Sequence, residues 1–146
     1  MALKELNGGI MKKLLLTGFL FVPLFVSFVH AQHFIGKSKQ EIKTLMRESK
    51  KEFLFSKEVK TDKYHFLKYE HIDNIKTMIF MLSDDEKCKY TKLMCDYSLL
   101  KNIQDSLNNN YEYQKNLTWI DYTSNTEYDY LIEMEKREWF FTLKTS

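Results

Sequence analysis

Cys88 and Cys95, with His33, His65 and His71, are the side chains beyond residue 31 whose types suit nucleophilic or metal chemistry. A cysteine becomes a nucleophile when a neighbour lowers its thiol pKa, and nothing in the local sequence around Cys88 does so recognisably. No two histidines stand at i, i+4, and none sits beside a cysteine at zinc-ligand spacing. His65 and His71 have the same strand parity and read as polar edges of a sheet. Glu133 and Glu135 lie two apart on what reads as a solvated strand face, whereas general acid–base work needs carboxylates in distinct, partly buried environments. Gly36 is the only glycine after residue 31, which excludes glycine-rich phosphate loops and a Gly-x-Ser-x-Gly elbow. No catalytic, cofactor-binding or metal-binding residue is therefore assigned, and the reading leans away from an enzyme.

The two cysteines also raise the question of a bridge. Seven residues span roughly 23 Å along a strand and roughly 10 Å along a helix, against a Cα separation near ~6 Å in a disulfide. Cys88 and Cys95 join only if the chain bends between them; otherwise they stay unpaired or pair between molecules.

All nine tyrosines and both tryptophans follow residue 31. Aromatic residues spaced by two on strands more often build a core than a groove, so Trp119 and the tyrosines are read as packing. Trp139 and Phe140 differ, because Phe140 faces away from Trp139 and Phe141, and that hairpin carries apolar side chains on both sides. They are the candidate contact surface. Asn116-Leu117-Thr118 matches the N-glycosylation sequon and Asp105-Ser106-Leu107 a short O-glycosylation motif, both unspecific.

Lys12 and Lys13 followed by the apolar run Leu14 to Val29 have the plan of a secretory signal peptide over residues 11–31, with cleavage between Ala31 and Gln32. Sixteen helical residues span about 24 Å, short of a ~30 Å hydrocarbon core, and Pro23 interrupts them. No membrane anchor is expected after cleavage, lipid anchors included, since Gln32 stands where a lipobox cysteine would. Residues 1–10 read as an extension upstream of a start at Met11. The whole chain carries a net charge of +2, which Lys4, Lys12, Lys13 and Glu5 supply; residues 32–146 are formally neutral. Nothing there suggests electrostatic capture of nucleic acid.

The elements that must position these groups form one domain, 32–146. Ser38 and Glu41 open a helix as a capping box, with Ile42, Leu45 and Met46 on its apolar face up to Lys50. The period then changes to two. Phe53, Phe55 and Val59 alternate, and Tyr64–Glu70, Ile75–Leu82 and Lys87–Cys95 follow as strands. Asp96 or Ser98 caps a second helix carrying Leu99, Leu100, Ile103 and Leu107, which left-handed asparagines at 108–110 end. Tyr111–Tyr122, long enough to hold a bulge, Tyr128–Glu135 and Glu138–Lys144 are strands, the last two a hairpin about Lys136-Arg137. This predicts an α+β fold of order α-β4-α-β3, with two helices on one face of an antiparallel sheet.

Gly36-Lys37-Ser38-Lys39-Gln40-Glu41-Ile42 resembles the helix opening of SmpA/OmlA-type envelope proteins and of β-lactamase-inhibitor-protein-like domains. That resemblance implies helices against an antiparallel sheet and action by binding other proteins. The chain after the leader also resembles small secreted proteins of the Bacteroidota type, in the Gly-Lys-Ser helix, Lys87-Cys88 after an acidic turn, and Leu107-Asn108 before Tyr111. The expectation is a secreted or periplasmic binding domain without cofactors, whose partner is a protein or a small ligand. The alternative is a small hydrolase-like enzyme with a dispersed site, including His65 or His71.

Overall fold

The computed structural model describes residues 34–122 and 129–146. The stretch 1–10, the leader 11–31, the Ala31–Gln32 junction, His33 and Tyr128 lie outside the described residues. Gly36 turns the chain toward the first helix at φ +79°, a state L side chains rarely adopt. Backbone bonds from Gly36 N–H to the Cys88 carbonyl and from Cys88 N–H to the Lys37 carbonyl, both 2.8 Å, stitch this segment to a distant strand. Helix α1 (Lys39–Ser49) starts at Ser38 with the expected capping box: the Ser38 hydroxyl accepts from Glu41 N–H, and the Glu41 carboxylate accepts from Ser38 N–H at 2.8 Å. It buries Ile42 and Met46.

Strands β1 (Phe53–Lys60), β2 (His65–His71), β3 (Lys76–Leu82) and β4 (Cys88–Asp96) form an antiparallel meander. The Asp96 side chain then accepts from Ser98 N–H at 2.8 Å and opens a single 3-10 turn, Tyr97–Leu99, that runs into helix α2 (Leu100–Asn110). The three asparagines do not stop this helix by turning left-handed. They stay helical, the Asn110 amide donates to the Ser106 carbonyl at 2.7 Å, and Tyr111 leaves in extended conformation. A side-chain donor has satisfied a terminal carbonyl that a left-handed residue would otherwise serve.

The strand expected over Tyr111–Tyr122 is two strands, β5 (Glu112–Tyr113) and β6 (Thr118–Asp121). Asn116 and Leu117, at φ 53° and 58°, reverse the chain between them. β7 (Tyr130–Lys136) and β8 (Phe140–Thr145) complete one eight-stranded antiparallel sheet of order β1-β2-β3-β4-β8-β7-β6-β5. The fold is α+β, with four strands rather than three after α2. Each half is a helix followed by a four-strand meander, and the halves join along β4 and β8.

Alternate residues of the strands supply one core with Ile42, Met46, Ile103 and Leu107 of the helices: Leu67, Met78, Phe80, Leu93, Phe141 and Trp119 among them. Trp119 is packing, as expected, with its indole N–H donating to Asn108 Oδ1 at 2.8 Å.

Two irregularities in register change which residues share that core. Between Phe55 and Lys57, β1 carries one residue more than its partner, so Phe55 opposes Tyr69 but Glu58 opposes Leu67. Directly opposed residues share a face. The bulge therefore swaps the expected parity, moving Val59 away from the core side and bringing Glu58 onto it. A second shift lies between Met81 opposite Tyr90 and Leu82 opposite Cys88. It puts Cys88 on the same side as Thr91, Leu93 and Cys95, all buried, although seven residues of regular strand would place Cys88 and Cys95 on opposite faces.

Candidate functional site

The cysteines answer the question their spacing raised. Both lie on β4 with no bend that would bring them together, and both are free and buried. Removal from water pushes each thiol up to about 12, the reverse of what a nucleophile needs. The Cys88 thiol donates to the Tyr90 carbonyl at 3.6 Å, and no bond to a histidine is present among the described residues.

His65 begins β2 and is 9 % exposed, while His71 ends it; both point to the core side, roughly 20 Å apart along the strand. His71 pairs with Asp73 at 2.5 Å and stands edge-on to Phe53. His65 Nε2 meets Glu58 Oε1 at 2.9 Å, a pair the sequence reading missed because the bulge at Ser56 is what turns Glu58 inward. Lys39 Nζ donates to Glu58 at 3.2 Å and to Glu86 at 2.9 Å, and Lys43 Nζ donates to Glu58 at 3.1 Å. The His65 bond first, then those from Lys43 and Lys39, outweigh burial and hold the Glu58 carboxyl down at about 2. Glu58, His65 and Glu86 bring ligand atoms within 4.8 Å of one another, a grouping that suits a cation. Lys39 already supplies one: its ammonium contacts both carboxylates, so the cluster is a closed ion-pair network fastening α1 to β1 and to the turn before β4.

Glu133 faces away from the core and pairs with Lys144 at 3.1 Å, a solvated strand pair. Ser106 lies inside α2 and accepts from the Asn110 amide through its hydroxyl at 3.2 Å, whereas Asn116 of the sequon is exposed in its turn.

Trp139 is 77 % exposed, the most exposed of the large apolar side chains described, and it sits in the turn before β8. With Phe140 it lines a concavity of about 190 Å³ shared with Ile75, Thr77, Met94 and Asp96. Thr77 and Met94 oppose each other across β3 and β4 on the side away from the core. That side also carries half-buried Phe66, Met81 and Tyr90, adjacent in register across β2, β3 and β4. A second, larger concavity of about 450 Å³ opens between α1 and β1.

Among the described residues no helix is long and apolar enough to cross a membrane. No family model, curated protein or solved structure matches the chain.

Proposed function

We propose that the chain is exported, secreted or periplasmic, through the signal peptide 11–31, and that residues 32–146 are a non-enzymatic domain that binds another protein. In this reading both helices cover one face of the sheet. The other face, with Phe66, Met81, Tyr90 and Met94, meets the partner, and Trp139 with Phe140 anchors it. The observation that carries the reading is Trp139, whose indole stands 77 % exposed beside a concavity instead of packing inward. An exposed aromatic next to half-buried apolar neighbours is the composition of an interface anchor. The resemblance of the Gly36–Ile42 opening to domains that act by binding proteins points the same way.

Photo-crosslinking from the neighbouring exposed position 138 in the producing cells, with Trp139 kept or replaced by alanine, tests it: the crosslinked species are expected to weaken by tenfold or more in Trp139→Ala, on the order of an aromatic anchor. A partner set unchanged by the substitution refutes the anchor. N-terminal sequencing of the exported protein is expected to begin at Gln32.

The second reading, a hydrolase-like enzyme, draws support from the 2.9 Å His65–Glu58 contact. Two lysines on the same carboxylate leave that pair little freedom to carry a proton. Turnover abolished by His65→Gln in an esterase and phosphatase screen would favour it over the binding reading.

A further inference from the structure

Beside the edge strand, the cleft between α1 and β1 has a chemistry the protein-binding face does not use. Its floor is Met46, Phe53, Leu54, Phe55 and Tyr69, and its rim is Lys43, Arg47 and Lys51. No carboxylate lines it. Lys43 and Arg47 are four apart on α1, which stacks their side chains along one flank, and Lys51 follows in the turn after the helix. Lys43 is committed to Glu58 and lies 5.4 Å above the Phe55 ring, but Arg47 and Lys51 have no ion-pair partner among the described residues. On the floor Phe55 is 50 % exposed, although it stands edge-on to Tyr69 with ring centroids 5.3 Å apart; the Leu54 side chain points to the opposite face of β1, and only its backbone borders the cleft.

An apolar floor whose Phe55 ring is left half open to water, with unpaired cations at one side, is complementary to a molecule that is apolar along most of its length and negative at one end. The size selects a small molecule: about 450 Å³ falls in the ~300–1,000 Å³ range of small-molecule sites and is far below a folded partner. An added peptide strand suits the cleft less well, because the bulge between Phe55 and Lys57 interrupts the edge's row of hydrogen-bonding groups beside it.

We propose that this cleft binds single molecules of a long-chain monocarboxylate of the fatty-acid type. The Arg47 guanidinium takes the carboxylate through two parallel N–H···O bonds, with Lys51 adding charge. The alkyl chain lies over the Phe55 ring where it meets Tyr69 and runs toward Met46, whose buried but adaptable thioether can shift to admit its end.

The probe is dodecanoate below its micelle concentration, titrated calorimetrically into the purified protein, with dodecyltrimethylammonium and acetate as the tail-only and head-only comparisons. Saturable one-to-one binding of dodecanoate is expected, at least tenfold tighter than either comparison. Arg47→Glu is expected to weaken it tenfold or more, the size of one lost charge-assisted pair. Phe55→Ser, at a half-exposed site that does not hold the core, is expected to weaken it by a similar factor while circular dichroism stays native. Lys101→Glu on α2, remote from the cleft lining, is expected to leave it unchanged. Equal affinity for the dodecyl cation overturns the proposal, as does binding indifferent to both Arg47→Glu and Phe55→Ser. Attachment to anionic vesicles without saturable binding of the monomer assigns the cleft to a bilayer surface and overturns it too.

Discussion

Glu58→Gln tests whether the ion-pair network is what fastens α1 to the sheet edge. Glu58 receives His65 at 2.9 Å, Lys43 at 3.1 Å and Lys39 at 3.2 Å, and its carboxyl is held from the ordinary 4.5 down to about 2. The folded protein therefore binds fewer protons than the unfolded chain between those values. The stabilisation is complete above about pH 5, fades as pH falls through the window, and is gone below about pH 2. The full linkage of that displacement is roughly 3 kcal/mol. Water reaches the carboxylate, whose side chain is 28 % exposed, and screening reduces the expected contribution to about 1 kcal/mol. Urea unfolding followed by tryptophan fluorescence reads it, with Trp119 as the buried reporter. Wild type is expected to exceed Glu58→Gln by about 1 kcal/mol at neutral pH, with the gap closing toward zero as pH falls to 2. Other acid-sensitive carboxylates, such as Glu41 and Asp96, lose their contacts in both proteins and largely cancel. A gap that stays constant or widens on acidification would refute the assignment.

Trp119→Ala removes the largest fully buried side chain and its bond to Asn108, and is expected to cost about 3–5 kcal/mol, read as a lower urea midpoint with unchanged slope. The Cys88 and Cys95 thiols, buried and pushed up to about 12, are expected to resist iodoacetamide at pH 8 in the folded protein and to react fully in urea, as mass spectrometry reports. Mild oxidation of the folded protein is expected to leave both unbridged within the molecule; a mass two hydrogens lighter under non-reducing conditions would contradict their places on β4.

The first helix was legible because its signal is local: Ser38 and Glu41 cap reciprocally whatever the rest of the chain does. The first four strands were legible from alternation and turn residues. Where reading failed, the cause was an extra residue that periodicity cannot register. The bulge at Ser56 inverts the parity of β1, so the sequence places Val59 inside and hides Glu58, and with it the His65 network. Leu117 at φ 58° is a second case, since nothing in a leucine announces a left-handed turn, and β5 and β6 merged into one expected strand. The exposure of Trp139, on which the proposed contact surface rests, was legible as apolar residues on both sides of a hairpin. The α1–β1 cleft was not, because periodicity along one element does not show that Lys43 and Arg47 of α1 meet Phe53 and Phe55 of β1 across the sheet edge.

The palindromic strand order has a consequence for how the chain finds this structure. Within each half, every strand pairs with its sequence neighbour, so both meanders zip up through short hairpin closures. The one pairing that joins remote positions is β4 with β8, where Thr91 meets Thr145. That closure spans the whole second half and carries the main loop entropy of the sheet. Until it forms, Leu93 and Cys95 lack Leu143 and Phe141 beside them, and two incomplete cores stand open. The seam is thus the step that makes two meanders one cooperative unit, and the position at which a nascent chain stays exposed until β8 has been made.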